Sequence, residues 1–324
     1  EALELVISLD NSVPQRRALL ERSRDTLMMN LHGQPIDAES EKRLARVARA
    51  LGDNALEQAA LASAIALAGP DGTSEQMVAS YSSRKPRLPQ VALTDPMIRQ
   101  ILTPGDEGPL ADLFVALGPT IGEALGPTRE TVGVTKKDRV DPRSGLALRT
   151  EVAAWAGAFG ISQFDLYIGG RDATGVQAIA GETPAIVCGP NVTAPLSTTT
   201  RARLARELMG IVRGSTIARY RDDATVGAIV ASVCNIMKMR VDAPAYPTLA
   251  ETQRAIDKAI ARRTKAVIEP ILRNYVAAGA PDPRAWANRA RSSQARAGLV
   301  ASGDVVLVLV DLFNDSVPNL PHLV

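Results

Sequence analysis

Pro184-Ala185-Ile186-Val187-Cys188-Gly189, a short loop, and then Arg203-Leu204-Ala205-Arg206-Glu207-Leu208-Met209-Gly210-Ile211-Val212-Arg213-Gly214 is the stretch on which the fold turns. Ala185–Cys188 is a short apolar run closed by a glycine, which is a strand signal. Pro190 and Pro195 bracket a loop. Ser197-Thr198-Thr199-Thr200 offers N-cap residues, and a helix runs from there to Arg213, stopped by Gly214. Upstream, Phe164-Asp165-Leu166-Tyr167-Ile168 alternates like a strand and ends at Gly169-Gly170, and Val176–Ile179 is another short strand. Around these three strands everything reads as helix. Leu110–Leu117 is helical, and Gly118-Pro119 and Gly126-Pro127 each most simply end one helix and let proline begin the next. Lys136–Arg143 is a polar loop. Leu146–Phe159 is a helix with Leu148, Val152 and Trp155 on one side. Downstream, a helix spans about residues 224–239. A long one follows from the capping box Thr248-x-x-Glu251, with Ile256, Ile260, Val267 and Ile271 towards its core and a kink at Pro270. Two more, about Pro283–Val300 and Asp304–Leu312, finish the chain, although Val305–Val310 is equally strand-like. The class is therefore mostly α with a small β-sheet, α+β.

The first 70 residues read as helices throughout. Pro14 suits a first turn ahead of Arg16–Met29. Asp37–Leu51 carries Leu44, Val47 and Leu51 as one apolar stripe, Gly52-Asp53-Asn54 is a turn, and Ala55–Ala68 resumes until Gly69-Pro70-Asp71-Gly72 stops it. Ala50-Leu51-Gly52-Asp53, then Ala55 and Ala59-Ala60, resembles a tetratricopeptide-type repeat, and Ala2-Leu3-Glu4-Leu5 running into Leu9-Asp10 resembles the tail of a preceding one. An ordinary helical bundle is the alternative. The chain opens Glu1-Ala2-Leu3-Glu4, without Met and without a basic and hydrophobic leader, so it is read as the end of a longer array. The serine- and proline-bearing stretch Tyr81–Pro89 reads as a linker. The expected division is helical repeats over 1–72, a linker over 73–92 and an α+β domain over 93–324. Trypsin is expected to cut near Arg84, Lys85 or Arg87 and leave Leu93–Val324 folded.

Composition narrows the function. A formal charge of +2 on 324 residues gives no reason to expect a polyanionic partner, and 3% aromatic residues leave little for a base-stacking surface. Two cysteines, Cys188 and Cys234, exclude a disulfide scaffold and a four-cysteine zinc site. Two histidines, His32 and His322, near opposite ends of the chain, remove most histidine-based catalysis. Arginine outnumbers lysine 30 to 7 and alanine occurs 50 times, which fits a GC-rich bacterial genome. No apolar run reaches the roughly 18 residues of a membrane helix, and a cytoplasmic protein is expected.

The stretch quoted first also carries a resemblance. A strand followed by a helix bearing Glu207-Leu208-x-Gly210-Ile211 resembles the zincin metalloproteases, whose active helix reads His-Glu-Leu-x-His-Ile. In that family two histidines at i and i+4 hold zinc and the glutamate polarises the metal-bound water. Glu207 takes the glutamate position, and Arg206 and Gly210 take the histidine positions. Guanidinium and glycine do not bind zinc. The next helix offers only Asp222 and Asp223 for a third ligand. The resemblance, over roughly residues 165–235, thus implies a metal-free zincin-like domain with no cofactor, and an unrelated α/β domain is the alternative. Glu207 is expected to form an exposed pair with Arg203, four residues earlier, so that Glu207→Gln changes stability by about 1 kcal/mol or less. The cysteines sit in apolar segments and read as buried inert thiols. Arg84-Lys85-x-Arg87, Lys136-Lys137-x-Arg139 and the group Arg201, Arg203, Arg206, Arg213, Arg219 and Arg221 read as solvated surface.

Taken together, these readings predict a non-catalytic protein–protein interaction or scaffold protein. Its partners would be other proteins or peptides, within a larger assembly and away from membranes. An extended chain is expected to add beside an edge strand of the zincin-like domain. Nucleic acid is the least expected partner. The alternative is a hydrolase acting through Glu207 or a cysteine.

Overall fold

The computed structural model describes residues 2–10, 12–33, 37–69, 88–242 and 244–314. The described residues are mostly helical, with one three-stranded mixed sheet, an α+β arrangement. They divide into two compact units, one drawn from residues 1–85 and 303–324, the other from residues 86–302. Residues 70–87, which hold most of the expected linker and the trypsin sites Arg84, Lys85 and Arg87, lie outside the described residues, as does His322.

The first unit begins with α1 (Ala2–Ser8), α2 (Arg16–Gly33), α3 (Ala38–Leu51) and α4 (Asn54–Ala68). Asp37 caps α3 by accepting the Ser40 N–H at 2.8 Å, and Asp53 caps α4 through the Leu56 N–H at 3.0 Å. Gly52, at φ 75°, closes α3 in the left-handed conformation, so the turn Gly52-Asp53 makes α3 and α4 a helical hairpin. Leu44 and Ala45 pack against Ala60 across it.

The second unit runs α5 (Asp95–Ile101), α6 (Pro109–Leu125), α7 (Arg129–Val132), a 3₁₀ turn at Lys136–Asp138, and α8 (Ala147–Ala158). It continues through β1 (Asp165–Ile168), β2 (Val176–Ile179), β3 (Ala185–Cys188), α9 (Thr198–Val212), α10 (Thr216–Tyr220) and α11 (Asp223–Ile236). It ends in α12 (Leu249–Ala259), α13 (Arg262–Ala277) and α14 (Pro283–Ser302). The sheet order is β1-β3-β2. The fully buried β3 lies in the centre, parallel to β1 with Asp165 opposite Ala185, and antiparallel to β2 with Val176 opposite Cys188. One core gathers Phe159, Leu166, Ile186, Leu204 and Leu208 around the sheet, α8 and α9. A second gathers Leu117, Ile229, Ile256 and Leu272 around α6, α11, α12 and α13, with Phe114 stacked on Trp286 at 3.9 Å. Helix α9 packs on both β2 and α14.

Three expectations are corrected, and one left open between helix and strand is decided. Gly118-Pro119 does not end a helix: α6 continues through Pro119, because Leu113, Phe114, Leu117 and Ile121 bury one uninterrupted face that outweighs the roughly 3 kcal/mol cost of an interior proline. The long helix after Thr248 is two helices, broken at Ile260-Ala261, and Thr248 makes no side-chain cap. The break shifts the helical phase, so Ile268, Leu272 and Tyr275 face inward while Val267 is 56% exposed. The segment Val305–Val310 is not a strand but lies in a helix, α15 (Val305–Asn314), whose first turn is closed by the Asp304 carboxylate accepting the Leu307 N–H. Finally, α15 does not belong with residues 93–302. Val308 and Leu309 are buried and α15 packs on α4, so the first unit is made from both ends of the described chain.

Candidate functional site

The site that the resemblance points to lies on α9. Ser197 caps this helix through the Thr200 N–H at 3.1 Å. Arg201, Arg206, Glu207 and Gly210 are all buried along it, because β2 and α14 both pack against it. The Glu207 side chain is 1% exposed. Its Oε2 accepts the Tyr220 hydroxyl at 3.1 Å and the Ala178 backbone N–H at 3.1 Å, and its Oε1 pairs with the Arg219 guanidinium at 3.2 Å. Burial first, and then the neighbouring Glu207 charge, push the Tyr220 phenol well above its ordinary range. Tyr220 therefore stays protonated and donates.

This geometry corrects the exposed pair with Arg203. Arg203 Nη1 donates to the Thr174 carbonyl at 3.2 Å, and the cation facing Glu207 comes from α10 instead. The sequence had no local signal for this, since Arg219, Tyr220 and Ala178 stand 12, 13 and 29 residues from Glu207. The edge of β2, beside which an extended chain is expected to add, is engaged at one position in the same place. The Ala178 N–H points away from β3, where an added strand would meet it, and the Glu207 carboxylate already occupies it, with the Tyr220 oxygen at 3.4 Å. On the other edge of the sheet, the Val140 N–H donates to the Leu166 carbonyl and Arg139 bridges to Tyr167.

The residues do not fit a zinc ion. Arg206 is a buried cation at one ligand position. At the other, a Cβ on Gly210 would stand 3.3 Å from Thr216 Oγ1 and 3.4 Å from Gln294 Nε2, so the helix is packed too closely there for a side chain the size of histidine. Asp222 is turned to its own helix, where it caps α11 through the Thr225 N–H at 2.7 Å. Among the described residues no three His, Cys, Asp or Glu side chains are grouped to hold a metal. Burial raises the thiol pKa of Cys188 to about 12 and that of Cys234 to about 11, which keeps both protonated and poorly nucleophilic.

The arginine group around the site is only partly solvated. Arg201 and Arg206 are buried, Arg213 donates to the Asp106 carbonyl at 3.1 Å, and Arg221 donates twice to the Leu125 carbonyl, at 2.9 and 2.6 Å. A buried carboxyl that sequence reasoning missed, Asp106, sits in the same region. Burial pushes it up to about 6, while the Ser293 hydroxyl and the Arg213 charge pull the other way. Among the described residues no helix is long and apolar enough to cross a membrane. No protein-family model, curated protein or solved structure matches the chain.

Proposed function

We propose that this chain is a non-catalytic interaction protein, built from helical hairpins and a metal-free zincin-like α+β domain. The observation that carries the reading is the state of Glu207. A carboxylate serving as general base must reach water or substrate. This one is buried, and two hydrogen-bond donors and the Arg219 cation from other parts of the fold engage it. It holds α9, α10 and β2 together, which is a structural task. The binding role is drawn from the first unit, where Leu5 is 68% and Met29 75% exposed on α1 and α2. Large apolar side chains left in water on helical hairpins suit a protein partner.

The test measures zinc and hydrolysis on the purified chain. Elemental analysis is expected to find no stoichiometric zinc, and peptide and ester substrates are expected to be hydrolysed no faster by the wild type than by Glu207→Gln. Hydrolysis that copurifies with the chain and disappears in a folded Glu207→Gln variant would overturn the reading.

A further inference from the structure

The second unit contains a cleft of about 310 Å³ that Glu207 does not line. Its base is α11, where Val230 and Ala231 face it. Two tyrosines form its sides. Tyr246 is 7% exposed and lies directly against the helix at Gly227, where any Cβ would overlap its ring. Tyr275 is held by its hydroxyl, which donates to the Pro281 carbonyl at 3.1 Å. The cleft has a mixed polar and apolar lining and lies within the size range of small-molecule sites.

Three of the lining residues are charged: Asp242, Asp282 and Arg284. The Arg284 guanidinium lies 5.7 Å from the centre of the Tyr246 ring and is therefore already seated on an aromatic face. Asp282 stands immediately before α14 and accepts the Arg284 backbone N–H at 3.0 Å through one oxygen. Among the described residues neither Asp242 nor Asp282 forms an ion pair. The lining therefore carries more negative than positive charge, its cation lies on the Tyr246 ring, and neither carboxylate is neutralised by a cation.

We propose that this cleft binds a small organic cation: an ammonium or guanidinium group on a short apolar stem. The stem lies against Val230 and the two tyrosine rings, and the charged head is held by Asp242 and Asp282. Aromatic faces attract cations, and carboxylates give charge-assisted hydrogen bonds to N–H donors. An anion of the same shape meets two carboxylates and a guanidinium already stacked on Tyr246. The inference stands apart from the non-catalytic reading, because it uses none of the residues around Glu207.

Calorimetric titration of the full chain with benzylamine, butylguanidine and phenylacetate tests it. Benzylamine or butylguanidine is expected to bind at about millimolar concentration, as small ligands of this size do, and more weakly as salt is added. Phenylacetate is expected not to bind. Asp242→Asn and Asp282→Asn should each weaken binding by about fivefold to tenfold, the size of one charge-assisted hydrogen bond. Asp242→Glu should retain it, and asparagine at 282 still serves as a helix cap. The proposal is overturned if neither cation binds at ~10 mM, if phenylacetate binds as well as benzylamine, or if both asparagine variants bind like the wild type while melting normally.

Discussion

Replacing Glu207 by glutamine should cost about 2–4 kcal/mol of stability. The carboxylate accepts from Tyr220 and Ala178 and balances Arg219. A glutamine offers one acceptor oxygen in place of two and leaves the guanidinium facing a neutral amide. Urea denaturation followed by tryptophan fluorescence measures the loss in the second unit alone, since the two tryptophans, Trp155 and Trp286, both lie there. A change under about 1 kcal/mol would mean that the carboxylate faces water. Asp106 makes a prediction of a different kind. Its folded-state pKa, about 6, lies above its ordinary 3.8, so the native state holds a proton that the unfolded chain has released. That contribution is full below about pH 4 and is lost as pH rises through about 6, an effect on the order of 3 kcal/mol. In Asp106→Asn this part of the slope should vanish, so the stability of the variant relative to wild type should rise between pH 4 and pH 7. Parallel pH profiles for the two proteins would show that Asp106 titrates normally.

Three arginines close the C-terminal ends of helices. Arg221 holds the Leu125 carbonyl at the end of α6, Arg296 the Gln100 carbonyl near the end of α5, and Arg291 the Ala218 carbonyl of α10 at 2.6 Å. Each places a cation where a helix leaves carbonyls without intrahelical donors. Arg291 also pairs with Asp223 at 2.7 Å and donates to Asn288 at 2.7 Å. A lysine cannot reproduce that fork, so Arg291→Lys should cost about 2 kcal/mol in the same urea assay, and a neutral result would leave the fork without energetic weight. The individual elements were largely legible in the sequence because their signals are local. Alternation, a short apolar run and terminal glycines located the three strands, the N-cap candidates of Ser197-Thr198-Thr199-Thr200 located the start of α9 to within a turn, and Leu148, Val152 and Trp155 marked the buried side of α8. What was not legible depends on packing between elements. Arg201, Arg206 and Glu207 read as a wet helix face because nothing nearby in sequence says that β2 and α14 both pack against α9. The break at Ile260-Ala261 escaped because apolar residues continue across it and only their phase changes. The cleft beside Tyr246 was invisible for the same reason, since its residues come from three separate stretches of chain.

At the scale of the molecule, the first unit needs the last helix. α4 is apolar on nearly every side, with Ala60, Ala62, Ala64 and Ile65 buried, and α3 covers only part of it. Val308 and Leu309 cover another part. A chain ending at Ser302 should therefore keep the fluorescence-detected unfolding of the second unit unchanged, while circular dichroism shows a lower or lost helical transition for α1–α4. Retention of that transition at full size would show that α15 contributes nothing to the first unit. The same arrangement sets an order of events on the ribosome. Residues 1–85 emerge before the second unit, yet the segment that completes their own unit follows about 220 residues later, which at ordinary elongation rates is about 10–40 s. Throughout that interval the nascent α4 shows its alanine- and leucine-rich surface to the cell while the second unit folds ahead of it. A unit begun before the other is thus finished after it, and the period in which it can aggregate or engage a chaperone is fixed by translation speed.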